Sequence, residues 1–483
     1  GVGQPRPRDA AVGERRHVTD AQHAKEESAT APPMVRRRMT SSDEEVSASG
    51  WYLLTRLVTR WPINILVTLA VVLFTLPFLQ PATDFPVSGS ISLALDRFHP
   101  TTKALQQLNH DFGFGVLTPF DIYVVPANGT ALLSFEFFSE TQSLVKKLSE
   151  LPSTSCTDIT GISIAKCQEL PLNLVTFCAS AGPALLANTA ICTGVRYIYE
   201  SFVLPPPPDG RADGVAKFIV QPQFDPNAPE GFDWYKRART LLEHHARDSS
   251  AIAEIYISGG SMGGPGANDS IEHSLATFPA TMVTTVVAML IFVGVVFQSL
   301  LIPLRAVLTI SLSITFSFGL TSLVYTRGAL DWLGFWGLSR EDGIMYVNPE
   351  LAFVIVCGLA VDYDMFLLVR VREFWHQGYG TREAVCRAVH KTGNAINFAG
   401  AIMAIAFGGL FFSTTATLNQ FACYLVAGTV YDTFVIRPFM VPALFSLTGE
   451  ATWWPGVWTS SSGERLAITE RIQRGRSNPQ LLL

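Results

Sequence analysis

The sequence predicts an all-α bundle of six membrane-spanning helices that carries one α+β domain outside the membrane. Three observations support this fold class. Of 483 residues, 48% are apolar and only 16% are charged, whereas about 25% are charged in an ordinary globular chain. The charges are clustered, which leaves long charge-free windows between them. A segment of about 200 residues separates the first window from the second, which is enough for an independent core.

The charge-free windows define the spans, because a helix needs about 20 apolar residues to cross a bilayer. The first three windows follow Arg60, His273 and Arg305. A fourth contains two aspartates, and the window between Lys391 and Asp432 is divided by the polar stretch 413–419. The predicted spans are 61–80, 279–298, 304–325, 349–369, 394–413 and 419–447. We expect the last one to be longer than the membrane or kinked at Pro438 or Pro442.

Lysine and arginine concentrate on alternate connections between the spans, and such connections are usually cytoplasmic. If the spans alternate, three segments fall on the same side: the one before the first span, the second connection and the fourth connection. Their basic residues are Arg36, Arg37, Arg38, Arg56 and Arg60, then Arg305, then Arg370, Arg372, Arg382, Arg387 and Lys391. Both termini are therefore predicted to be cytoplasmic, and residues 81–278 are predicted to face the outside or a lumen. The protein as a whole is expected to be a multi-pass protein of the plasma membrane or an endomembrane.

The external segment contains two similar successions of strand and helix. Alternation at 121–125 indicates a strand, and helical spacing follows at 135–148. The second succession is a strand at 215–220, a helix at 231–246 and a strand at 253–258. Two such units in one domain predict a split βαβ, ferredoxin-like sandwich.

Cysteines and glycosylation sequons both lie in this external segment. Cys156, Cys167, Cys178 and Cys192 predict two disulfides with three possible pairings. The remaining Cys357, Cys386 and Cys423 are expected to be small buried residues. The sequons begin at Asn128 and Asn268, which makes both candidate glycosylation sites.

The remaining segments are predicted to be a linker, the membrane spans and a tail. Residues 1–50 are predicted to be a disordered cytoplasmic linker, and 51–80 an interfacial helix followed by the first span. Residues 279–450 hold the other five spans, and 451–483 form a cytoplasmic tail. The net charge of −5 is too small to indicate nucleic acid as a partner, and no cofactor or metal site is expected.

Carboxylates inside the spans are the strongest functional signal, because an ionisable group at membrane depth is usually part of an ion or proton pathway. Asp362 lies roughly 18 Å below Glu350, and Asp432 lies roughly 20 Å below Asn419. Desolvation favours the neutral form of such a carboxyl group, and the hydroxyl of Tyr363 can donate or accept beside it. A structural role in holding helices together is the alternative.

Helical geometry restricts which of these groups can meet. Asp364 is 200° around the helix from Asp362, so only one of them can point into the bundle, and we expect it to be Asp362. Arg437 follows Asp432 by five residues, about 140° around an α-helix, so the two are not expected to pair within their own helix.

An enzyme has to be considered, because Tyr431-Asp432, a second membrane aspartate and Pro442-Ala443-Leu444 are elements of intramembrane aspartyl proteases. The order of the elements is wrong for that class. The residues before Asp362 are Gly-Leu-Ala-Val rather than Gly-x-Gly, and Pro-Ala-Leu lies on the same helix as Tyr-Asp. We therefore expect a secondary transporter rather than an enzyme.

Several motifs together resemble the C-terminal half of an MMPL-type transporter of the RND superfamily. They are Gly358 to Glu373 with Asp362-Tyr363, Thr392-Gly393, Ile402 to Leu410, Asp432 to Arg437, and Val441 to Ala443 through Trp453-Trp454-Pro455. The resemblance covers 349–455 closely and the layout from 51 onward. The clustered cysteines and sequons look more like a eukaryotic member.

The resemblance implies that the external segment is a porter domain. It also implies that Asp362 and Tyr363 form one half of a proton-relay site with Asp432 and Arg437 nearby. Family members carry a matching Asp-Tyr pair in an N-terminal half with six further spans. We expect residues 1–483 to need such a half, covalent or separate, or a second copy.

The function that follows is proton-driven movement of a hydrophobic or amphipathic, lipid-like substrate. Two alternatives are a Patched- or sterol-sensing-like protein that binds sterol or another ligand, and an inactive scaffold. Substrate-stimulated proton flux separates the first reading from the others. Ligand binding that persists after Asp362→Asn favours the second.

Overall fold

The computed structural model describes residues 48–180, 190–206, 213–259 and 267–455. The predicted linker 1–50, except for its last three residues, and most of the predicted tail 451–483 lie outside these ranges. The described chain begins with the short helix Gly50–Val58, at the place where an interfacial helix is predicted.

Six helices within the described residues are long and apolar enough to cross a membrane, as the sequence predicts. We number them span 1 to span 6. They are Ile63–Thr83, Asp269–Phe297, Leu301–Tyr325, Val347–His376, Thr381–Phe412 and Ala416–Trp453. The helix of span 2 begins at Ala267, and span 1 includes one short 3-10 turn, Leu76–Phe78.

The helices of spans 4 and 5 extend beyond the limits that the sequence predicts. Span 4 continues to His376 rather than 369, and span 5 begins at Thr381 rather than 394. The charged residues there mark where the helix leaves the apolar layer. The backbone hydrogen bonds of a helix do not require apolar side chains, so the helix itself continues.

Spans 3, 4 and 6 form the interior of the bundle. Between 44% and 61% of the most apolar stretch of each is buried, against 11% to 17% for spans 1, 2 and 5. Small residues permit the close crossings: a Cβ on Gly319 would overlap Phe78, and one on Gly400 would overlap Thr433. Close packing through small residues is typical of membrane helices.

The connections gather at two ends of the bundle, as alternating spans require. At one end Arg97 donates to the carbonyl of Trp336 and to Asn419, and it pairs with Glu341. Burial raises the pKa of Glu341, although Arg97 acts in the opposite direction. At the other end Ser299 bonds the carbonyl of Thr452 at 2.6 Å.

The domain between spans 1 and 2, which the sequence predicts to be external and which we call the external domain, is built on an antiparallel sheet. The strands of the described chain are β1 Val87–Ser88, β2 Phe120–Pro126, β3 Ile159–Gly161, β4 Ile164–Ala165, β5 Gln168–Glu169, β6 Val203–Leu204, β7 Val215–Val220, β8 Ile252–Gly259 and β9 Ile344–Met345. The order in the main sheet is β5-β4-β3-β7-β2-β8, with β6 also paired to β7. The parallel pair β1 and β9 joins the chain after span 1 to the chain before span 4.

Helices cover this sheet and supply its core. The helices of the domain are Ile91–Ala94, Pro100–Phe112, Phe135–Ser149, Leu172–Ser180, Ala190–Phe202 and Pro229–Asp248. Strand β2 buries Phe120, Ile122 and Val124 in alternation. Ser134 begins the third helix by accepting from the amide of Phe137, and buried residues then recur at helical spacing.

The two predicted disulfides are present. Cys156 bonds Cys167, and Cys178 bonds Cys192, so each cysteine pairs with its neighbour in sequence. Cys357, Cys386 and Cys423 are free and buried, as expected.

The sequons differ in what the structure shows of them. Asn128 is exposed in the turn after β2, next to Gly129, whose φ of 84° favours glycine. The side chain of Asn268 lies outside the described part of the chain. Glycosylation at both positions stays a prediction.

We expect the double substitution Cys178→Ser and Cys192→Ser to destabilise the external domain by about 3 kcal/mol, because this bond closes a short loop of the unfolded chain. Denaturant unfolding followed by tryptophan fluorescence measures the change. Mass mapping under non-reducing conditions should recover the Cys156–Cys167 and Cys178–Cys192 peptides. Four free thiols, or a Cys156–Cys178 peptide, would contradict the pairing.

Candidate functional site

The middle of span 6 changes its helix type. The α-helix Ala416–Tyr431 is followed by a π-helical segment, Asp432–Met440, and then by the α-helix Val441–Thr448. Pro438 lies inside this segment and cannot donate to the ordinary helical hydrogen bonds. Span 6 is 38 residues long, more than the roughly 20 that a membrane requires, as expected, and the π-helical segment contains Pro438, one of the two predicted kink positions.

This segment pairs Asp432 with Arg437. Oδ2 of Asp432 accepts from Nη2 of Arg437 at 2.6 Å and from Nε at 2.8 Å. Our expectation that the two would not pair within their own helix is wrong. It assumed the α-helical rotation of about 100° per residue, whereas in a π-helix the hydrogen bonds join residues five apart and bring their side chains to one side.

Asp364 is the aspartate of span 4 that points into the bundle. It is 5% exposed and lies between two guanidinium groups. Its Oδ2 is 3.4 Å from Nη2 of Arg305, and its Oδ1 is 3.5 Å from Nη1 of Arg437. Our expectation that Asp362 would take this position is wrong.

The rotation of span 4 explains the difference. Its buried side chains include Phe353, Cys357, Ala360, Asp364, Leu367 and Val371. These positions recur every three or four residues, so apolar packing alone turns Asp364 inward. The helical period therefore contained the signal that distinguishes the two aspartates.

Arg305 completes the group from span 3. Its guanidinium lies 4.3 Å from the ring centre of Phe445 and is buried. Sequence reasoning assigned this arginine to a cytoplasmic connection and missed its place in the site. No local signal distinguishes it from an arginine of a connection, because it lies between two long charge-free windows.

Two carboxylates and two guanidiniums thus meet inside the bundle, carried by spans 3, 4 and 6. Arg437 also donates to the carbonyl of Ala360 at 2.8 Å, and its guanidinium lies 5.0 Å from the ring centre of Tyr363. The group is neutral when all four residues are ionised. Protonation of either aspartate would leave excess positive charge in a buried place, which is costly. We call these four residues the charged cluster.

Asp362 lies on the other side of span 4. It is exposed, and within the described residues its carboxylate has no hydrogen-bond or ion-pair partner. Its neighbours on that surface are apolar or small: Leu351, Val354, Ile355, Gly358, Phe366 and Val369. Span 4 therefore presents one carboxylate to the charged cluster and another to the outside of the bundle.

The fold and the site define an integral membrane protein with a charged site inside its helical bundle. The family model of the MMPL family matches residues 208–465, more than half of the chain. The chain belongs to the MMPL family, as the motifs around Asp362 and Asp432 indicate.

Three relatives show what this chain is similar to. It is 29% identical over 276 residues to the "Sulfolipid-1 exporter MmpL8" of Mycobacterium tuberculosis, covering 55% of this chain and 23% of that protein. It is 28% identical over 213 residues to the "Probable trehalose monomycolate exporter MmpL3" of Mycobacterium leprae, covering 44% and 22%. It is 27% identical over 243 residues to the "Membrane protein YdfJ" of Bacillus subtilis, covering 50% and 32%.

The matches thus span between about a fifth and a third of the length of these relatives. The cysteines of both disulfides lie before the first residue of the family match.

We expect the stability of the bundle to depend on both aspartates of the charged cluster. Asp432→Asn removes the shortest ion pair of the cluster, and Asp364→Asn leaves Arg305 without a carboxylate partner among the described residues. Either change leaves one excess positive charge in a buried place and should lower the stability by about 3–5 kcal/mol. Unfolding in detergent, followed by circular dichroism, measures both effects.

Asp362→Asn is the matched control, with an expected change within about 0.5 kcal/mol because the side chain is exposed. Equal losses in all three variants would contradict the geometry described above.

Proposed function

We propose that this protein is part of a proton-driven transporter that moves a hydrophobic or amphipathic, lipid-like substrate. Membership of the MMPL family supports this proposal, as do the printed names of two relatives, which are exporters of sulfolipid-1 and trehalose monomycolate. The observation that carries the proton part is the charged cluster next to Asp362, because carboxylates inside spans usually belong to ion or proton pathways.

The proposed relay consists of Asp362, Tyr363, Asp432 and Arg437. Asp362 exchanges the proton at the surface of span 4, and the Tyr363 hydroxyl donates or accepts beside it. Arg437 stabilises the ionised form of Asp432 through two hydrogen bonds. Tyr363 connects the two parts, since its ring lies against the Arg437 guanidinium.

Asp364 and Arg305 extend the relay toward span 3. When a proton neutralises Asp364, the attraction of span 4 to Arg305 of span 3 and to Arg437 of span 6 weakens. A shift of spans 3, 4 and 6 relative to one another would then accompany each proton, which is how a proton gradient can drive alternating access.

We further propose that the external segment is a ferredoxin-like porter domain. The relevant strands are β2, β3, β7 and β8, and they alternate with the helices Phe135–Ser149 and Pro229–Asp248. In the sheet they take the order β3-β7-β2-β8, all antiparallel. A split βαβ arrangement has this connectivity. Cysteines and sequons favour an external or lumenal position for it, with both termini cytoplasmic.

A partner for the Asp362 surface is also part of the proposal. A carboxylate facing hydrocarbon is unfavourable by several kcal/mol, so protein should cover it. The partner is a second six-span half, covalent or separate, or a second copy of this chain. Gly358 supports this, because a Cβ there would meet nothing within 4 Å and the surface can accept a close neighbour.

A proteolytic site is less well supported by the geometry. Two catalytic aspartates must lie close enough to share a proton. Here the Arg437 guanidinium contacts both Asp364 and Asp432, and Asp362 lies on the opposite side of span 4.

We expect Asp362→Asn to abolish substrate-stimulated proton flux in liposomes that contain the active transporter. Asparagine keeps the volume of the side chain and removes its titratable proton. A pH-sensitive dye inside the vesicles reports the flux, and lipid extraction reports transport. Asp233→Asn, an exposed change in the external domain, is the control and should keep full activity.

Full activity of Asp362→Asn would overturn the proton role. Binding that persists without any proton flux in the unsubstituted protein would instead favour a sterol- or ligand-binding function.

We also expect residues 1–483 alone to be inactive in transport, because the Asp362 surface lacks its partner. A cysteine introduced by Gly358→Cys should crosslink to the partner half or second copy when that is present. Ile291→Cys, exposed on span 2, is the control and should not crosslink. Coupled transport by a verified monomer of this chain would contradict the requirement.

A further inference from the structure

A short amphipathic element precedes span 1, and we call residues 50–62 the elbow. Its inner side is fixed to the beginning of span 5. Trp51 donates to Oδ1 of Asn394 at 2.6 Å, and the hydroxyl of Tyr52 donates to the carboxylate of Glu383 at 3.0 Å. Arg382 donates to the hydroxyl of Thr59 at 3.1 Å.

These contacts make the elbow a rigid attachment. Burial, with Glu383 beside it, raises the pKa of Tyr52 to about 12, so its hydroxyl keeps the proton that it donates. A Cβ on Gly393 would lie 3.0 Å from the Trp51 ring, which shows how closely the elbow packs on span 5. The inner side is therefore fully used by protein contacts.

The outer side of the elbow is apolar and exposed. Leu53, Leu57 and Trp61 recur every four residues, and all three are exposed. The same spacing continues along span 1 with Ile65, Leu69 and Leu73, which are also exposed. The helix Gly50–Val58 ends just before the helix of span 1 begins at Ile63. The exposed apolar side chains of the elbow therefore directly precede those of span 1, where the chain enters the bilayer.

Two cations accompany this apolar surface. Arg56 and Arg60 are both exposed, and within the described residues neither side chain has an ion-pair or hydrogen-bond partner. Glu383, the acid of the neighbouring span 5, already accepts from Tyr52 and from Arg387. Two guanidiniums beside apolar side chains at the bilayer edge can bind phosphate oxygens with paired hydrogen bonds.

We propose that the elbow is a binding site for anionic phospholipids. The phosphate and the net negative headgroup lie against Arg56 and Arg60, while the acyl chains lie along Leu57, Trp61 and Ile65. The site is on the side of the membrane that we propose to be cytoplasmic, where anionic lipids and juxtamembrane basic residues commonly meet. It does not depend on the proton relay.

The site connects to the charged cluster through span 5. The elbow holds the beginning of span 5, and Gly400 of that span packs against Thr433, the residue after Asp432. A lipid that holds the elbow at the bilayer edge therefore also restricts how span 5 moves against the π-helical segment. The elbow is placed to make transport sensitive to lipid composition.

The test measures lipid selectivity in nanodiscs of mixed phosphatidylglycerol and phosphatidylcholine. Spin-labelled lipids report the fraction immobilised by the protein. We expect the double variant Arg56→Gln and Arg60→Gln to lose the preference for phosphatidylglycerol by about fivefold for each arginine. High salt should weaken the preference of the unsubstituted protein in the same direction.

Lys236→Gln with Arg237→Gln is the matched control, because it removes two exposed cations from the external domain. It should keep the preference. An unchanged preference in the elbow variant would overturn the proposal, and so would an equal loss in the control, which would mean a general effect of net charge. Melting temperatures of both variants establish that each one is folded.

Soluble glycerol phosphate distinguishes a lipid site from a site for free phosphate. We expect millimolar glycerol phosphate to leave the immobilised lipid in place, because the soluble anion lacks the acyl chains. Complete displacement would show a site for a soluble anion and would overturn the lipid assignment. Trp61→Ala should reduce the binding of both lipids about equally and leave their ratio unchanged.

Discussion

The contact of Arg437 with Asp432 and Asp364 is the interaction on which the arrangement of the bundle depends. Arg437 is buried, and its charge is compensated only because two carboxylates from different spans reach it. Placing an arginine among apolar helices is unfavourable unless such partners are present. The π-helical segment supplies the nearer partner, since it brings Asp432 to the same side as Arg437. Spans 3, 4 and 6, which carry this polar centre, are the most buried spans, and spans 1, 2 and 5 are more exposed.

The number and approximate positions of the spans followed from the sequence, because hydrocarbon excludes charge and windows with few charged residues indicate membrane segments. Their limits did not follow, since the helices of spans 2, 4 and 5 continue into charged residues beyond these windows. The two disulfides followed from four clustered cysteines, but their pairing required the fold, since three pairings were equally possible. The π-helical pair of Asp432 and Arg437 could not be predicted. It depends on which backbone hydrogen bonds form around Pro438 and on the contact of Arg437 with Asp364 of another span. No local sequence pattern predicts either of them.

The two errors at span 4 and span 3 differ in kind. Asp364 could have been recognised, because it falls on the same helical stripe as Phe353, Cys357 and Leu367. Arg305 was misplaced because a single arginine between two apolar windows is normally the end of both. Its burial reflects Asp364, which lies 3.4 Å away on a span that comes much later in the chain. A positive charge near a span is therefore weak evidence for a loop when a carboxylate at the same depth can compensate it.

Span 4 joins two electrostatic environments through one helix. Asp364 faces a cluster that contains two arginines, whereas Asp362, two residues away, faces a surface without cations among the described residues. A rotation of span 4 would exchange the surroundings of the two carboxylates. Tyr363 lies between them in sequence, and its ring lies against the Arg437 guanidinium. The same rotation would therefore also move the tyrosine relative to Arg437. Under the proposed proton-driven mechanism, the adjacency of Asp362, Tyr363 and Asp364 would link proton uptake to a rotation of span 4.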